Sequence, residues 1–244
     1  MNMLQSGSTS LILLAGLAIG VIHAFEPDHL AAVTTQIVKN GDKKSKSVKY
    51  FVRNSIIKSS VMGVLWGAGH TSSILVIGLL VAGLALTIPN NFFTSIELVV
   101  GFMLLLLGAL LIFNKGILKH KHIHPHEHAD GVVHTHPHDH DIDHKHGHKS
   151  YLIGCIHGLA GSGALVVLAV SGLDSFEMAI SFLAVFGIGS IIGMTFASGI
   201  IGIPFVLSSK IPSLHKFLRY AVASVTIVIG ANIIYEITST GIFY

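Results

Sequence analysis

Residues 23–29 (HAFEPDH) place four ionisable side chains and a proline inside an apolar stretch at about residues 11–38. Charged groups in mid-membrane cost about 2.5–3.5 kcal/mol each on insertion scales, so they usually face the protein interior and serve a function. Imidazole and carboxylate together favour Ni²⁺, Co²⁺, Zn²⁺ or Cu²⁺ over Mg²⁺ or Ca²⁺. The segment therefore predicts a metal site. The alternative is a polar cluster that only packs helices, which is an expensive use of these ionisable residues: His23, Glu26, Asp28 and His29.

A straight helix cannot aim these side chains at one ion, because His23 and Asp28 point about 140° apart at 3.6 residues per turn. Pro27 has no backbone N–H, so it removes the hydrogen bond to the carbonyl of His23 and kinks or opens the helix. A carbonyl freed in this way can itself face an ion or water. We therefore predict that the first span is broken or bent at residues 23–27.

Two more histidines are candidates to complete or gate the site. His157 aligns with His23 in an internal repeat described below, and His70 follows Gly67-Ala68-Gly69, where a helix can loosen. Either could instead be a hydrogen-bonded core histidine. Cys155, close to His157, is more typical of a small core residue than of a metal ligand.

The composition indicates an all-α integral membrane protein. Charged residues make up 11% of the 244 residues, against about 25% in soluble domains. We predict six spans, at residues 9–36, 55–86, 94–114, 151–171, 177–207 and 217–238. A single cysteine excludes a disulfide framework, and no catalytic or phosphate-binding motif is visible, so we expect no enzyme.

The basic residues all fall in, or within four residues of, three loops that six spans would put on one side of the membrane. The positive-inside rule makes that side cytoplasmic, with both termini outside, in the plasma membrane. The fifteen basic residues are Lys39, Lys43, Lys44, Lys46, Lys49, Arg53 and Lys58, then Lys115, Lys119, Lys121, Lys145 and Lys149, and finally Lys210, Lys216 and Arg219.

The chain also repeats internally. Residues 17–30 align with residues 151–164, and residues 64–73 align with residues 184–193. Each unit would contain three spans, and an odd number reverses the second unit in the membrane. Residues 1–114 and 151–244 are therefore predicted to be two inverted three-helix repeats, an arrangement typical of secondary transporters.

Between the repeats lies a histidine-rich tract, residues 115–150, predicted to be cytoplasmic and disordered without a ligand. Alternating His-x-His offers many registers for loose, pH-sensitive metal binding. We interpret the tract as an auxiliary metal buffer, with a solubilising linker as the alternative. Its histidines are His120, His122, His124, His126, His128, His134, His136, His138, His140, His144, His146 and His148.

The His-x4-Asp-His pattern at residues 23–29 resembles the signature of the nickel/cobalt transporter family. The GAGHTSS run from Gly67, the run from His157 and the histidine-rich loop are similar to the wider group of nickel/cobalt and urease-accessory permeases. The resemblance implies that His23, Asp28 and His29 are required for metal transport. Glu26-Pro27 stands where the permeases usually have Asp-Ala, and the chain lacks a clear match to their second acidic signature. The preferred metal and the direction of transport therefore stay open.

We predict a secondary transporter of Ni²⁺ or Co²⁺, with Zn²⁺ as a further option and no cofactor beyond the transported ion. Glu26 would be a ligand or a proton acceptor. The alternatives are a zinc exporter of the cation-diffusion type and a non-transporting membrane metal-binding accessory protein. The expected partners are the lipid bilayer, transition-metal ions and, as an option, cytoplasmic metallochaperones, with no nucleic acid.

Overall fold

The computed structural model describes residues 3–39, 48–84, 90–113, 122–127, 133–138, 144–160, 172–173, 175–208 and 211–239. Most of these residues are helical, and one pair of short strands lies between two of the helices in the chain. In chain order the elements are α1 (Met3–His23), α2 (Pro27–Lys39), α3 (Val48–Leu84), α4 (Asn90–Ile112), β1 (His122–Glu127), β2 (Val133–His138), α5 (His144–Ala160), α6 (Phe176–Ser208) and α7 (Pro212–Ser239).

Four of the described helices are long and apolar enough to cross a membrane, in segments Val52–Leu80, Thr94–Ile112, Phe176–Ser208 and Pro212–Ser239. The bent pair Thr9–His23 and Pro27–Val38 makes a fifth if it counts as one span. Helix α5 covers the predicted span at residues 151–171 only as far as Ala160, and the rest of that span lies outside the described residues. The chain is thus a helical, multi-pass membrane protein, as its composition predicted.

The predicted break in the first span is confirmed. Helix α1 ends at His23, α2 begins at Pro27, and the two helices are bent by 54°. Two tight turns fill the break, because Phe25 N–H donates to Ile22 O at 2.9 Å and Glu26 N–H donates to His23 O at 3.1 Å. The expectation of a free His23 carbonyl is therefore wrong, since the chain turns sharply enough for Glu26 to replace the donor that Pro27 lacks.

Helix α3 lies at the centre of the bundle, where it packs against α5 and α6, while α1 packs against α6 and α4 against α7. Helix α2 contacts α4, α6 and α7, and its side chains from Ala31 to Val38 are all buried. Trp66, Leu104 and Met194 join α2 in the largest apolar cluster. The second half of the bent span is therefore held inside the protein by packing on several sides.

Backbones come very close at two helix crossings, where glycine lets them approach. Gly20 and Gly189 meet the partner's backbone where α1 crosses α6, and Gly69 and Gly154 do so where α3 crosses α5. A Cβ at Gly20 would overlap the carbonyl oxygen of Phe186, and one at Gly154 would overlap that of Trp66. These contacts bring the ends of α1 and α5 against α6 and α3.

Within the histidine-rich tract the structure has an antiparallel hairpin, and α5 begins at His144. These segments differ from the expected disorder, and they add two strands to the predicted all-α fold. Backbone pairing explains how such a sequence can form strands without an apolar face. Pro125 and Pro137 are compatible with this pairing, because both strands of a two-stranded sheet have a free edge where the missing N–H costs no ladder bond.

Candidate metal centre

Four histidines and one aspartate converge from four helices. His23 ends α1, Asp28 and His29 begin α2, His70 lies in α3, and His157 lies in α5. His23 is 3% exposed and the other three histidines are fully buried. The break in the first span brings His23 and His29 together, with ring centroids 4.4 Å apart. The residues singled out from the sequence thus share one buried site.

His29 lies at the centre of this cluster. Its ring centroid is 4.3 Å from that of His157 and 5.0 Å from that of His70. The rings of His23 and His70 are 5.2 Å apart. The four imidazoles are therefore close enough together to surround one ion, either at a single position or at two neighbouring positions.

Asp28 connects two of the rings. Its Oδ1 lies 3.0 Å from His29 Nδ1 and accepts the backbone N–H of His29 at 2.9 Å, while its Oδ2 lies 3.0 Å from His157 Nε2. An ionised carboxylate only accepts hydrogen bonds, so both ring nitrogens that face it are the N–H nitrogens. This leaves His29 Nε2 and His157 Nδ1 with lone pairs. A carboxylate that orients an imidazole in this way is typical of metal-binding histidines.

Several ring nitrogens in the cluster have no hydrogen-bond partner among the residues that the structure describes. They are His23 Nε2, His29 Nε2, both nitrogens of His70, and His157 Nδ1. A buried polar atom without a partner costs about 1–3 kcal/mol, so a protein rarely keeps several without a reason. Neutral imidazole nitrogens of this kind are suited to a borderline divalent transition metal.

Glu26 lies at the edge of the cluster. Its Oε1 is 2.8 Å from His23 Nδ1, a close approach without the alignment of a hydrogen bond, and its Oε2 is 3.8 Å from His29 Nδ1. The Glu26 side chain is 44% exposed, against 20% for Asp28. Glu26 is therefore placed to meet an ion at the rim of the site, whereas Asp28 is built into the site.

Two aromatic residues that border the cluster were not recognised from the sequence. The Trp66 ring lies 5.4 Å from His29 and 5.5 Å from His157, and the Phe186 ring lies 5.6 Å from His23. Trp66 is the only tryptophan of the chain and precedes His70 by one helical turn, a spacing that puts both on one helix face. That spacing could have indicated from the sequence that Trp66 borders the site.

Nine of the twelve histidines of the tract lie in three described segments. In the hairpin, histidine is paired with histidine at every second position: His122 with His138, His124 with His136, and His126 with His134. His144, His146 and His148 belong to the first turns of α5. His120, His128 and His140 lie outside the described residues.

The fold and the site define a class, a multi-pass membrane protein with a buried His/Asp cluster that could hold a metal ion. The chain is 33% identical to urease accessory protein UreH from Bacillus sp. (strain TB-90), over 95% of this chain and 94% of that protein. The chain belongs to the UreH family. The resemblance to nickel/cobalt and urease-accessory permeases, inferred from the sequence motifs, is thereby confirmed.

A second relative is more distant. The chain is 27% identical to the chloroplast protein FOR GROWTH AND FERTILITY 2 from Arabidopsis thaliana, over 90% of this chain but only 55% of that protein. No family model matches the chain, and no solved structure does.

Proposed function

We propose that this protein is a secondary transporter that moves Ni²⁺, or Co²⁺, across a membrane through the cluster of His23, Asp28, His29, His70 and His157. The observation that carries the proposal is the set of buried ring nitrogens that have no hydrogen-bond partner within the described part of the chain. The name of the Bacillus relative links the family to urease, a nickel enzyme, which favours nickel as the ion.

Each cluster residue would have a distinct task. His23, His29 and His70 present unpartnered ring nitrogens to the ion. Asp28 supplies the negative charge and fixes the rings of His29 and His157. Glu26, at the more exposed rim, would receive the ion or a proton as the ion enters or leaves.

Reciprocal contacts between the helices support two inverted repeats. The internal alignment matches Gly20 with Gly154 and Gly189 with Gly69. Gly20 and Gly189 meet at the α1–α6 crossing, and their counterparts meet at the α5–α3 crossing, in each case against equivalent backbone atoms. The first helix of each unit thus packs against the second long helix of the other unit: α1 against α6, and α5 against α3. Rocking one unit against the other would expose the buried cluster to the two sides in turn.

The histidine-rich tract would collect or buffer ions on the cytoplasmic side. The hairpin register supports this role, because opposite residues in antiparallel strands have Cβ atoms about 4.5–5.5 Å apart. Three successive His–His pairs at such a spacing would provide several weak sites. We place this side in the cytoplasm and the protein in the plasma membrane, and the distribution of basic residues supports the orientation.

Metal flux in proteoliposomes tests the proposal, with Ni²⁺, Co²⁺, Zn²⁺ and Mn²⁺ compared. We expect wild-type protein to carry Ni²⁺ or Co²⁺ and expect His23→Ala and His29→Ala to lose this flux while still inserting. His215→Ala is the matched control. His215 lies in α7 and contacts Ser208 and Phe205 near the end of α6, and it is not a member of the cluster. A chain without residues 120–148 should keep reduced flux. Wild-type flux in either cluster variant would refute the proposal.

A non-transporting role is the second candidate, favoured by the word "accessory" in the relative's name. In that case the purified protein would bind Ni²⁺ through the same cluster, and no flux would appear for any of the four ions. The UreH relationship gives no support to the zinc exporter of the cation-diffusion type.

A further inference from the structure

The ligand atoms of the cluster fall into two overlapping groups of three. One group is His23, His29 and His70, and the other is Asp28, His29 and His157. Within each group the ligand atoms lie within 4.8 Å of one another. Two nitrogens bound to one ion at about 2.0–2.1 Å can be at most about 4.2 Å apart, so each group needs only a small movement to close on an ion. His29 is the shared member.

The ring distances separate the same two groups. His29 is almost equally close to His23 and His157, at 4.4 and 4.3 Å. His70 lies 5.2 Å from His23 but 6.3 Å from His157. Asp28, in contrast, contacts His29 and His157. His70 thus belongs to the side of His23, and Asp28 belongs to the side of His157.

In both groups, a histidine from one repeat packs against an aromatic ring from the other repeat. The internal alignment matches His23 with His157 and Phe186 with Trp66. Phe186 packs at 5.6 Å from His23, and Trp66 packs at 5.5 Å from His157. A matched histidine from one repeat therefore meets a matched aromatic ring from the other repeat on both sides, and His29 lies between them.

A neutral imidazole has one N–H and one lone pair, so His29 can give only one ring nitrogen to an ion at a time. Its Nδ1 faces Asp28 of the second group, whereas its Nε2 has no partner among the described residues. His29 can therefore complete the first group through Nε2 or, in its other tautomer, the second group through Nδ1, and occupation of one group excludes occupation of the other. The groups also differ in charge, because three neutral imidazoles form the first and a carboxylate joins the second.

We propose that the cluster consists of two half-sites, which share His29 and hold one ion in turn, and that transport passes the ion from one to the other. The first half-site is His23, His29 and His70, and the second is Asp28, His29 and His157. The proposal rests on the proposed function for the transfer step, but the existence of two exclusive half-sites can be tested by binding alone. Each repeat then contributes its matched histidine to one stage of the cycle.

The test compares His70→Gln, in the first half-site only, with His157→Gln, in the second only. The association constants of two mutually exclusive sites add. If the half-sites exist, at least one single variant must keep about half or more of the wild-type association constant for Co²⁺, and the double variant must lose the site. A single five-ligand site instead predicts that both variants weaken binding, by about 10- to 100-fold, as even supporting ligand contacts do.

Binding is measured by Co²⁺ quenching of Trp66 fluorescence in the full chain in nanodiscs. Trp66 is the only tryptophan, and its ring lies 5.4 Å from His29 and 5.5 Å from His157, so its quenching reports an ion bound in the cluster. His29→Ala should abolish the saturable quenching, and His215→Gln should leave it unchanged. His70→Asn and His157→Asn provide a second pair if either glutamine variant is unstable in a thermal melt.

Flux of Co²⁺ in proteoliposomes completes the test. If transport passes the ion from one half-site to the other, His70→Gln and His157→Gln should both lose most of the flux, including the variant that keeps its Co²⁺ affinity. Strong loss of binding in both single variants, or wild-type flux in either, would overturn the proposal. If the wild-type chain shows no flux at all, the proposed function fails, while the binding constants still decide whether two half-sites exist.

Discussion

Two carboxylates lie two residues apart in this chain and have different surroundings. Asp28 contacts the rings of His29 and His157 through separate oxygens, whereas Glu26 is 44% exposed and approaches His23 without hydrogen-bond alignment. A carboxylate that holds two buried rings in place affects every ligand in its group. A carboxylate at the rim affects mainly the entry or exit of an ion.

Replacing each carboxylate by its amide should separate these roles. Asp28→Asn keeps the size of the side chain but removes its charge and one acceptor. Because Asp28 also orients His29, which both half-sites share, we expect Co²⁺ affinity to fall about 10- to 100-fold. Glu26→Gln should change affinity much less. Fluorescence quenching of Trp66 measures both, and equal losses in the two variants would contradict the assignment.

The helix elements bring ligands together because the first span is not one straight helix. The 54° bend at residues 23–27 turns α2 into the bundle, where it contacts α3, α4, α6 and α7 and its side chains from Ala31 to Val38 are buried. Helix α5 approaches α3 closely enough for Ser73 Oγ to donate to Cys155 O at 2.8 Å. His157 and His70 are therefore held in register by a crossing that only glycine permits.

Adding one methyl group at this crossing should disturb the metal site. In Gly69→Ala the new Cβ would overlap the carbonyl of Tyr151, which is backbone and cannot move aside. Overpacking of this kind costs about 1–3 kcal/mol. We expect a lower melting temperature and weaker Co²⁺ binding, as α5 and its His157 are pushed away from α3.

The matched control is Gly199→Ala at the α3–α6 contact. There a Cβ would meet the side-chain oxygen of Ser60 at 2.8 Å, and that oxygen can rotate away. This variant should melt close to wild type and bind Co²⁺ normally. Similar behaviour of the two alanine variants would show that the α3–α5 crossing does not position the site.

At the scale of the whole molecule, the distribution of basic residues predicts the orientation in the membrane. Helix α6 has 33 residues, about 50 Å at 1.5 Å per residue, which is enough to cross a bilayer. Ser175 precedes this helix, and Ser213 lies in the first turn of α7 beyond it; both are exposed. The two residues should therefore lie on opposite sides.

Cysteine labelling tests this orientation, because Cys155 is the only cysteine of the chain. In a Cys155→Ala background we expect an impermeant maleimide to label Ser175→Cys, but not Ser213→Cys, in intact spheroplasts. Both should react after the membrane is permeabilised. The reverse pattern would show the opposite orientation, and labelling of both in intact spheroplasts would show that α6 does not cross.

The sequence by itself determined the class, the break and the candidate ligands. A bilayer demands long apolar helices, so the few polar residues in them stand out, as His23 and His29 do. Pro27 predicted the break because it cannot donate a backbone hydrogen bond. The family resemblance also followed from local motifs. These features depend on residue type and short spacing, which a single sequence displays.

Only the tertiary structure decided how the ligands are shared. Helical periodicity cannot tell that Asp28 reaches His157, 129 residues away, or that Trp66 and Phe186 border different histidines. Such contacts depend on how helices from the two halves cross, and glycines at the crossings set that distance. The sequence thus identified a metal-ligand segment, whereas helix packing arranged five side chains into two groups around His29.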